Sequence, residues 1–182
     1  MIEIRDATPE DIPEVLAIYN QVMATSTAIY REEPATLDAH QEWFRARTAA
    51  GYPVLVATDA AGVAGFASFG DFRPWPGYRF TVEHSVHVRH DCRGAGVGGA
   101  LMQPLIARAT TLGKHVMIAG VDAKNVASLR FHRRLGFVPV AHFREVGFKF
   151  GRWLDLMFLQ RFLSGDPPRV AARVRPADRH DR

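Results

Sequence analysis

The order of hydrophobic and polar residues along the chain predicts a mixture of strands and helices. We expect a strand at 2–6, helices at about 9–24 and 37–49, strands near 53–59, 62–72 and 78–88, a helix at 96–112, a strand at 115–121, a helix at 125–135 and two final strands. Early hairpins followed by a strand–helix–strand–helix unit indicate an α/β (mixed α+β) fold, with one central, mostly antiparallel sheet flanked by helices.

Two neighbouring segments have the clearest periodicity. In the first, four apolar residues alternate with four polar ones, as in a strand with one buried face. They are Phe80, Val82, Val86 and Val88 against Thr81, Glu83, Ser85 and His87. In the second, apolar residues recur at spacings of three and four from Val97 to Leu112, as on one face of a helix. A strand and a helix are therefore predicted on either side of residues 89–95.

The run between that strand and that helix is rich in glycine. It contains Arg93, Gly94, Ala95, Gly96, Val97 and Gly98 in succession. Glycine lets the backbone come close to an anion, and the free N–H groups at the start of a helix favour negative charge. An arginine at this place adds donors that match phosphate oxygens. The loop is therefore predicted to bind a phosphate group.

The same glycines also match another kind of site. Gly94, Gly96 and Gly99 have the spacing of a dinucleotide-binding fingerprint, and Asp122 follows roughly twenty residues later. Such a fingerprint normally opens the first strand–helix–strand unit of its domain. Because about half of this chain precedes the loop, dinucleotide binding is the weaker interpretation.

Length and charge predict one domain with a short extension. The chain has 182 residues, and we expect a single domain at 1–163 and a disordered basic tail at 164–182, which is rich in proline and lacks apolar periodicity. Five arginines against three aspartates give that tail +2 of the formal net charge of +4. The rest of the chain is only mildly basic, which suits a polyanionic coenzyme and indicates no nucleic-acid partner.

Several other classes are not supported by the sequence. The first residues lack the apolar region of a secretory signal, and no run is long enough to cross a membrane, so we expect a cytoplasmic protein. Cys92 is the single cysteine, which excludes an internal disulfide, and we assign it no covalent acyl step. His84, His87 and His90 form no metal set, because the first two face opposite sides of a strand.

A wider pattern distinguishes the two interpretations of the loop. Arg93, Gly96 and Gly98 fill the motif Q/R-x-x-G-x-G/A, and it is followed by Asn125-x-x-Ser128-x-x-Phe131-His132-x-x-x-Gly136-Phe137. Together these motifs resemble the GCN5-related N-acetyltransferases (GNAT), over about Ile2 to Phe162. The resemblance implies acetyl-coenzyme A (acetyl-CoA) as co-substrate, with no metal. It also implies a sheet that splays open after the glycine-loop strand.

The resemblance assigns parts of the coenzyme to parts of the chain. It places the pyrophosphate on the loop at 93–98 and the pantetheine arm along the backbone of Val86, His87 and Val88. Asn125, and with it Ser128 of the second motif, is implied to contact the arm from the opposite side.

Two further segments are similar to a subgroup of that family. One is RPWPGYRFTVEHSVHV at 73–88, and the other comprises Gly147, Lys149, Gly151, Trp153, Asp155 and Gln160. Both resemble the phosphinothricin and methionine sulfoximine acetyltransferases. This resemblance implies acetylation of the α-amino group of a small amino acid or analogue. It also implies a homodimer, because the subgroup completes its pocket across a two-fold axis.

Attack of an amine on a thioester requires the removal of a proton, since an alkylamine is mostly protonated at neutral pH. Glu83, on the polar face of its strand, is the predicted base and matches the base proposed for the subgroup. It needs a raised pKa or a water relay, and the alternative is an exposed strand glutamate. His132 is a second candidate, as the acid for the leaving thiolate, as a base in place of Glu83, or as a packing residue only.

The carboxylate of an amino acid requires a cation, preferably one that makes two parallel hydrogen bonds. Arg73 is the first candidate and Arg79 the second, since strand alternation would point Arg79 away from its apolar neighbour. Trp75 and Tyr78 in the same turn, together with Tyr30, are predicted either to wall a pocket or to pack in the core.

Two other functions are compatible with a coenzyme site. A noncatalytic acyl-CoA sensor would bind the coenzyme without moving its acetyl group, and a protein or peptide N-acetyltransferase would act on a lysine or an N-terminus. Glu83 argues against the sensor. Arg73 and the aromatic turn beside it favour a small anionic acceptor over a peptide.

Overall fold

The computed structural model describes residues 2–163. Within this range the elements are β1 (Glu3–Asp6), α1 (Ile12–Thr25), α2 (Leu37–Ala49), β2 (Val54–Asp59), β3 (Gly62–Asp71), β4 (Thr81–Val88), α3 (Val97–Thr111), β5 (Val116–Asp122), α4 (Val126–Arg134), β6 (Val138–Lys149) and β7 (Arg152–Phe162). The predicted order of strands and helices is confirmed. The tail predicted at 164–182 lies outside the described residues.

The seven strands form one sheet in the order β1-β2-β3-β4-β5-β7-β6. Neighbouring strands are antiparallel except for β4 and β5, which are parallel. This arrangement confirms the predicted mixed and mostly antiparallel sheet. The single parallel pair lies at the strand that leads into the glycine loop.

That parallel pair is short, and the sheet opens beyond it. β4 and β5 are paired at three positions, of which the last joins Glu83 to Ile118. β4 stays paired with β3 as far as Val88, and β5 stays paired with β7 as far as Asp122. The facing edges of β4 and β5 therefore separate after Glu83, which confirms the predicted splay.

Helices cover both faces of the sheet and bury its apolar side chains. On one face, Leu101, Met102 and Leu105 of α3 are fully buried in the main core. On the other face, Val15 of α1 packs with Phe66 of β3. Each fully buried side chain of this size stabilises the folded state by about 1.5–3 kcal/mol. This packing holds β3 and β4 rigidly beside the opening in the sheet.

The turn before β4 differs from the prediction. The strand begins at Thr81, so the expectation that it begins at 78 was wrong. Residues Pro76–Tyr78 form a single 3₁₀ turn, in which the N–H of Tyr78 donates to the carbonyl of Trp75 at 2.9 Å. Proline fixes φ near the value that such a turn requires, which overrides the alternation of the following residues.

The first helix also starts later than predicted. Residues Pro9–Asp11 form a 3₁₀ turn, and α1 begins at Ile12. The N–H of Thr8 donates to the Asp11 carboxylate at 2.7 Å, which closes the 3₁₀ turn ahead of the α-helix. Thr36 caps α2, which begins where the predicted helix at 37–49 begins.

Within residues 2–163, no helix combines the length and the apolar composition that a membrane span requires. In the same range, no group of three or more His, Cys, Asp or Glu side chains is arranged to hold a metal ion. His84 and His87 face opposite sides of β4, as predicted, since His84 contacts the ring of Phe137 and His87 contacts that of Phe66.

Candidate active site

The space between the separating ends of β4 and β5 widens into a cleft of about 1070 Å³. Its walls come from the segment that joins α1 to α2, from β3, β4 and β5, from the glycine loop with the start of α3, and from α4. All of the predicted catalytic and coenzyme residues line the cleft except Ala95. The five residues predicted for the acceptor do not line it.

The glycine loop closes one end of the cleft. Gly94 and Gly96 have φ values of 80° and 84°, in the left-handed region that other residues adopt only with strain. Gly96 is also the N-cap of α3, and Val97 and Gly98 line the cleft after it. The first N–H groups of a helix have no partner within that helix. The loop therefore offers main-chain donors and the positive end of the α3 dipole to an anion.

The start of α4 lies across the cleft from β4. The side-chain oxygen of Asn125 accepts a hydrogen bond from the N–H of Ser128 at 3.0 Å and thereby caps the helix. Gly98 allows α3 to approach this helix, because an added Cβ would lie 3.3 Å from the ring of Phe131. The two motifs that stand apart in the sequence are thus brought to opposite walls of one cleft.

Glu83 lies at the closed end of the cleft, in the last β4–β5 pair. Its carboxylate reaches across to β5, where a Cβ added to Gly120 would lie 3.1 Å from Oε1. Burial raises the pKa of Glu83, and the positive charge of Arg73 acts in the opposite direction. Glu83 is thus half-buried, not an exposed strand residue, and is a stronger base than a free carboxylate.

His132 is buried in the α4 wall of the cleft, and its hydrogen bonds define its protonation. Nδ1 lies 2.8 Å from the carbonyl oxygen of Ser128, which can only accept, so Nδ1 carries a hydrogen. Burial lowers the pKa of His132, while the bond to Ser128 acts in the opposite direction. In the neutral ring Nε2 therefore has a free lone pair.

His87 faces the other side of β4 from His84. Its ring lies 5.2 Å from that of Phe66 and 6.0 Å from that of Tyr19. Burial lowers the pKa of His87 to about 4, so the ring is neutral near pH 7. The side chain packs, and the predicted contact of this residue with a coenzyme depends on its backbone.

The two predicted carboxylate-binding arginines lie outside the cleft lining. The guanidinium of Arg73 lies 4.9 Å from the centre of the Phe72 ring, and its charge lowers the pKa of Glu83. Arg79 donates to the carbonyl of Pro76 at 3.0 Å and lies 4.5 Å from the centre of the Phe80 ring. The prediction that Arg79 points away from its apolar neighbour was wrong, because both residues belong to a turn and not to a strand.

The predicted aromatic residues are also outside the cleft lining. Trp75 and Tyr78 are 66% and 43% exposed on the turn before β4. Tyr30 packs against the β6–β7 hairpin, where a Cβ added to Gly147 would lie 2.4 Å from its ring. Its hydroxyl donates to the carbonyl of Asp155 at 3.3 Å, and burial raises its pKa to about 12. Tyr30 therefore packs against the β6–β7 hairpin and is not part of the cleft lining.

Arg47 of α2 lines the cleft, although the sequence pattern did not single it out. Its guanidinium covers Gly70, where an added Cβ would lie 1.4 Å from Nη1. Gly70 pairs directly with Glu83, and opposed residues of antiparallel strands face the same side of the sheet. The Arg47 side chain makes no hydrogen bond or ion pair with the described residues; burial lowers its pKa, and the negative charge of Asp71 acts in the opposite direction. A half-buried, unpaired guanidinium therefore lies on the same face as the predicted base.

The segment 26–31, between α1 and α2, contributes another wall of the cleft through Ser26, Ala28, Ile29 and Arg31. This segment is held at two points. The buried Lys149 ammonium donates to the carbonyls of Met23, of Ser26 at 2.9 Å and of Ile29 at 2.7 Å. The hydroxyl of Thr27 donates to the Asp122 carboxylate at the end of β5. The position of this wall thus depends on β5 and β6.

Replacing Lys149 by methionine is expected to lower Tm by several degrees and to raise the KM of the acceptor. Methionine fills a similar space but leaves three carbonyls without their donor, and an unsatisfied buried group costs about 1–3 kcal/mol. Calorimetry and steady-state kinetics measure the two effects. Lys124→Met, at an exposed position, is the control and should change neither. Unchanged Tm and KM in Lys149→Met would show that this contact does not hold the 26–31 wall.

Comparison with known proteins gives consistent matches over nearly the whole chain. A family model described as "Acetyltransferase (GNAT) domain" matches residues 2–138. The chain is 54% identical over 169 residues to the L-methionine sulfoximine/L-methionine sulfone acetyltransferase of Pseudomonas aeruginosa, which covers 92% of this chain and 97% of that protein. It is 48% identical over 159 residues to the L-amino acid N-acyltransferase MnaT of Escherichia coli, over 87% and 92% of the two chains.

A solved structure has a similar fold over most of its length. The crystal structure of a GNAT superfamily phosphinothricin acetyltransferase from Sinorhizobium meliloti, in complex with acetyl-CoA, is similar to this chain with a TM-score of 0.86. The two are 38% identical, and the similarity covers 88% of each chain.

Proposed function

The chain belongs to the GNAT acetyltransferase family, and from that premise we propose that it transfers the acetyl group of acetyl-CoA to the α-amino group of a small amino acid. Methionine sulfoximine, methionine sulfone and phosphinothricin are the proposed acceptors, since its relatives are named for them. The observation that carries the proposal is the half-buried Glu83 carboxylate at the closed end of the cleft. We also propose that the protein acts in the cytoplasm.

The described residues fit acetyl-CoA, which supplies a thioester when bound. We assign the pyrophosphate to Arg93 and the loop at 94–98, where left-handed glycines and the start of α3 supply donors. Ala95 would contribute through its main chain only, because its side chain does not line the cleft. Backbone groups of residues 86–88 are exposed along the parted edge of β4, and Asn125 and Ser128 face them from α4.

Glu83 is proposed as the general base. Its raised pKa lets it take a proton from the acceptor's ammonium group, directly or through a water, as the amine attacks in a ternary complex. His132 offers a lone pair at Nε2, because its Nδ1 hydrogen is bonded to Ser128. To act as an acid toward the leaving sulfur, His132 must first gain a second proton at Nε2. Both of its proposed roles therefore depend on the same nitrogen.

The acceptor carboxylate is proposed to bind Arg47, with Arg73 adding positive charge nearby. The Arg47 guanidinium is on the same face as Glu83, lines the cleft and lacks a hydrogen-bond partner among residues 2–163. Arg73 is exposed beside the Phe72 ring, yet it is close enough to lower the pKa of Glu83. Arg79, which is bonded within its own turn, is the weaker candidate.

We propose a homodimer whose interface includes the exposed aromatic turn before β4. β6, β7 and their hairpin expose Phe143, Val146, Phe148, Phe150 and Trp153, at 46–59% of their surfaces. The ring of Phe158 lies 5.7 Å from that of Phe143 and 6.1 Å from that of Phe72, so this surface continues to the turn with Trp75 and Tyr78. Large exposed apolar surfaces of this kind mark interfaces. A partner subunit here would complete the acceptor end of the cleft.

Sedimentation equilibrium tests this dimer. The wild-type protein is expected to show twice the chain mass of 20.3 kDa. Phe143→Glu should shift it toward the monomer and raise the KM of the acceptor, because a buried unpaired charge opposes association. Leu112→Glu, at an exposed position outside this surface, is the control. A fully active wild-type monomer would contradict the proposal.

Product analysis tests the proposed reaction. The protein incubated with acetyl-CoA and methionine sulfone should give a product with one acetyl group on the α-nitrogen, identified by fragmentation in mass spectrometry. Lysine offers two amines to the same site and should be acetylated, if at all, at the α-position. Acetylation only at side-chain or peptide amines would favour the protein or peptide acetyltransferase instead.

A further inference from the structure

His84 is a buried polar side chain that the proposed mechanism does not use. It is 7% exposed, and both of its ring nitrogens lack a hydrogen-bond partner, the only such buried side chain among residues 2–163. A neutral imidazole carries one donor and one acceptor, and burying either without a partner costs free energy. His84 lines the cleft, so a bound ligand can supply the missing partner.

The position of His84 in the splay indicates which part of a ligand it meets. It follows Glu83 directly, so it is the first β4 residue beyond the last β4–β5 pair. A ligand lying between the two strands ends there, because the strands are paired from Thr81 to Glu83. His84 therefore faces the reacting end of the coenzyme and not its pyrophosphate, which we have assigned to the loop.

The neighbours of His84 determine its protonation. Its ring centre lies 5.2 Å from that of His132 and 5.3 Å from that of Phe137. Burial lowers the pKa of His84, and positive charge on His132 or His87 would act in the same direction. No carboxylate opposes them, so the ring is neutral and keeps a single N–H.

We propose that His84 is a catalytic residue that donates this N–H to the sulfur of the coenzyme. The inference rests on the proposed function, since it requires acetyl-CoA in the cleft. When the carbon–sulfur bond breaks, its electron pair remains on sulfur, and a hydrogen bond to His84 stabilises that negative charge. His84 keeps its proton. Glu83 takes one proton from the ammonium group as the amine attacks, and the second proton, released from the nitrogen as the amide forms, passes to the departing thiolate.

The two faces of β4 separate the proposed contact of His84 from that of Glu83. His84 points to the side of β4 that carries α3 and α4, next to His132. Glu83 points to the opposite side, toward α2 and the proposed acceptor site. In the tetrahedral intermediate the amine nitrogen and the sulfur are separate substituents of the reacting carbon. Glu83 on one face of β4 therefore serves the amine, and His84 on the other face serves the sulfur.

Binding of CoA and desulfo-CoA, which lacks the sulfur, tests this contact without any turnover. Calorimetric titration of the wild-type protein should show a preference for CoA that grows above pH 8, as the thiol ionises. His84→Leu should reduce that preference by about three- to tenfold and leave the Kd of desulfo-CoA nearly unchanged. His84→Gln, which restores an N–H, should recover part of the preference.

The absorbance of the bound thiolate gives a second measurement. A hydrogen bond from His84 favours the thiolate, so the titration midpoint of bound CoA should lie at higher pH in His84→Leu than in the wild type. The same preference and the same midpoint in both proteins would overturn the proposal, as would a wild type without any preference. If the wild type bound neither ligand, the proposed function itself would fail. Unchanged desulfo-CoA binding shows that a variant is folded.

Discussion

Replacing Glu83 by glutamine is expected to reduce kcat by about 10²–10⁴-fold, the range that general bases contribute. Glutamine keeps the size of the side chain but cannot take a proton from the acceptor. The Kd of acetyl-CoA should change by less than about threefold, because Glu83 lies at the closed end of the cleft and away from the loop that is proposed to bind the pyrophosphate. Steady-state turnover and calorimetric binding measure the two quantities separately.

The pH profile makes this expectation more specific. Burial raises the pKa of Glu83, so its carboxylate is protonated, and lost as a base, as the pH falls through that raised value. The kcat of the wild type should fall on the acid side, and Glu83→Gln should lack this limb. Glu42→Gln, at an exposed position on α2, is a matched control and should behave as the wild type. Wild-type turnover in Glu83→Gln across the pH range would contradict the role.

Replacing Arg47 by alanine is expected to raise the KM of the acceptor by about 10–100-fold, with little change in the KM of acetyl-CoA. Hydrogen bonds to charged groups contribute about 1.5–3 kcal/mol, which corresponds to this range. Arg47→Lys should restore the charge but not the two parallel bonds, and recover only part of the affinity. The measurement is steady-state kinetics with each substrate varied in turn.

An acceptor without its carboxylate isolates this contact. The carboxamide of methionine sulfone should be a poor acceptor for the wild type, and Arg47→Ala should discriminate much less between the acid and the amide. Arg45→Ala, on the same helix but paired with Glu42 at the surface, should discriminate as the wild type does. Arg73→Ala tests the second arginine in the same way. If Arg73→Ala alone lost the discrimination, Arg73 and not Arg47 would be the carboxylate ligand.

The sequence was sufficient for the parts of the site that depend on local pattern. The alternation around Glu83, the glycine-rich loop at 93–98 and the motif that begins at Asn125 each have a signal within a few residues. Their order along the chain, strand then loop then helix, brings them to one cleft without further information. The resemblance to a family added the splay between β4 and β5, which no periodicity indicates.

The acceptor side of the site was harder to predict from the sequence, because it depends on contacts between distant segments. Arg47 is one of several charged residues on a polar helix, and only the packing of α2 over Gly70 brings it into the cleft. Tyr30 was a pocket candidate because it is aromatic. Its ring instead packs on Gly147 of the β6–β7 hairpin, where the missing side chain of glycine leaves room for it. Strand alternation does not predict the direction of the Arg79 side chain, because Arg79 belongs to the proline-initiated turn that precedes β4.

Release of free thiol from acetyl-CoA, measured across a panel of acceptors, tests the central claim most directly. The panel contains methionine sulfone, methionine sulfoximine, phosphinothricin, common amino acids, polyamines and short peptides. We predict saturable turnover with the sulfur- and phosphorus-containing amino acids, well above that with polyamines and peptides. Coenzyme binding without turnover on the small amino acids would contradict the account and favour a sensor or an acetyltransferase of larger substrates.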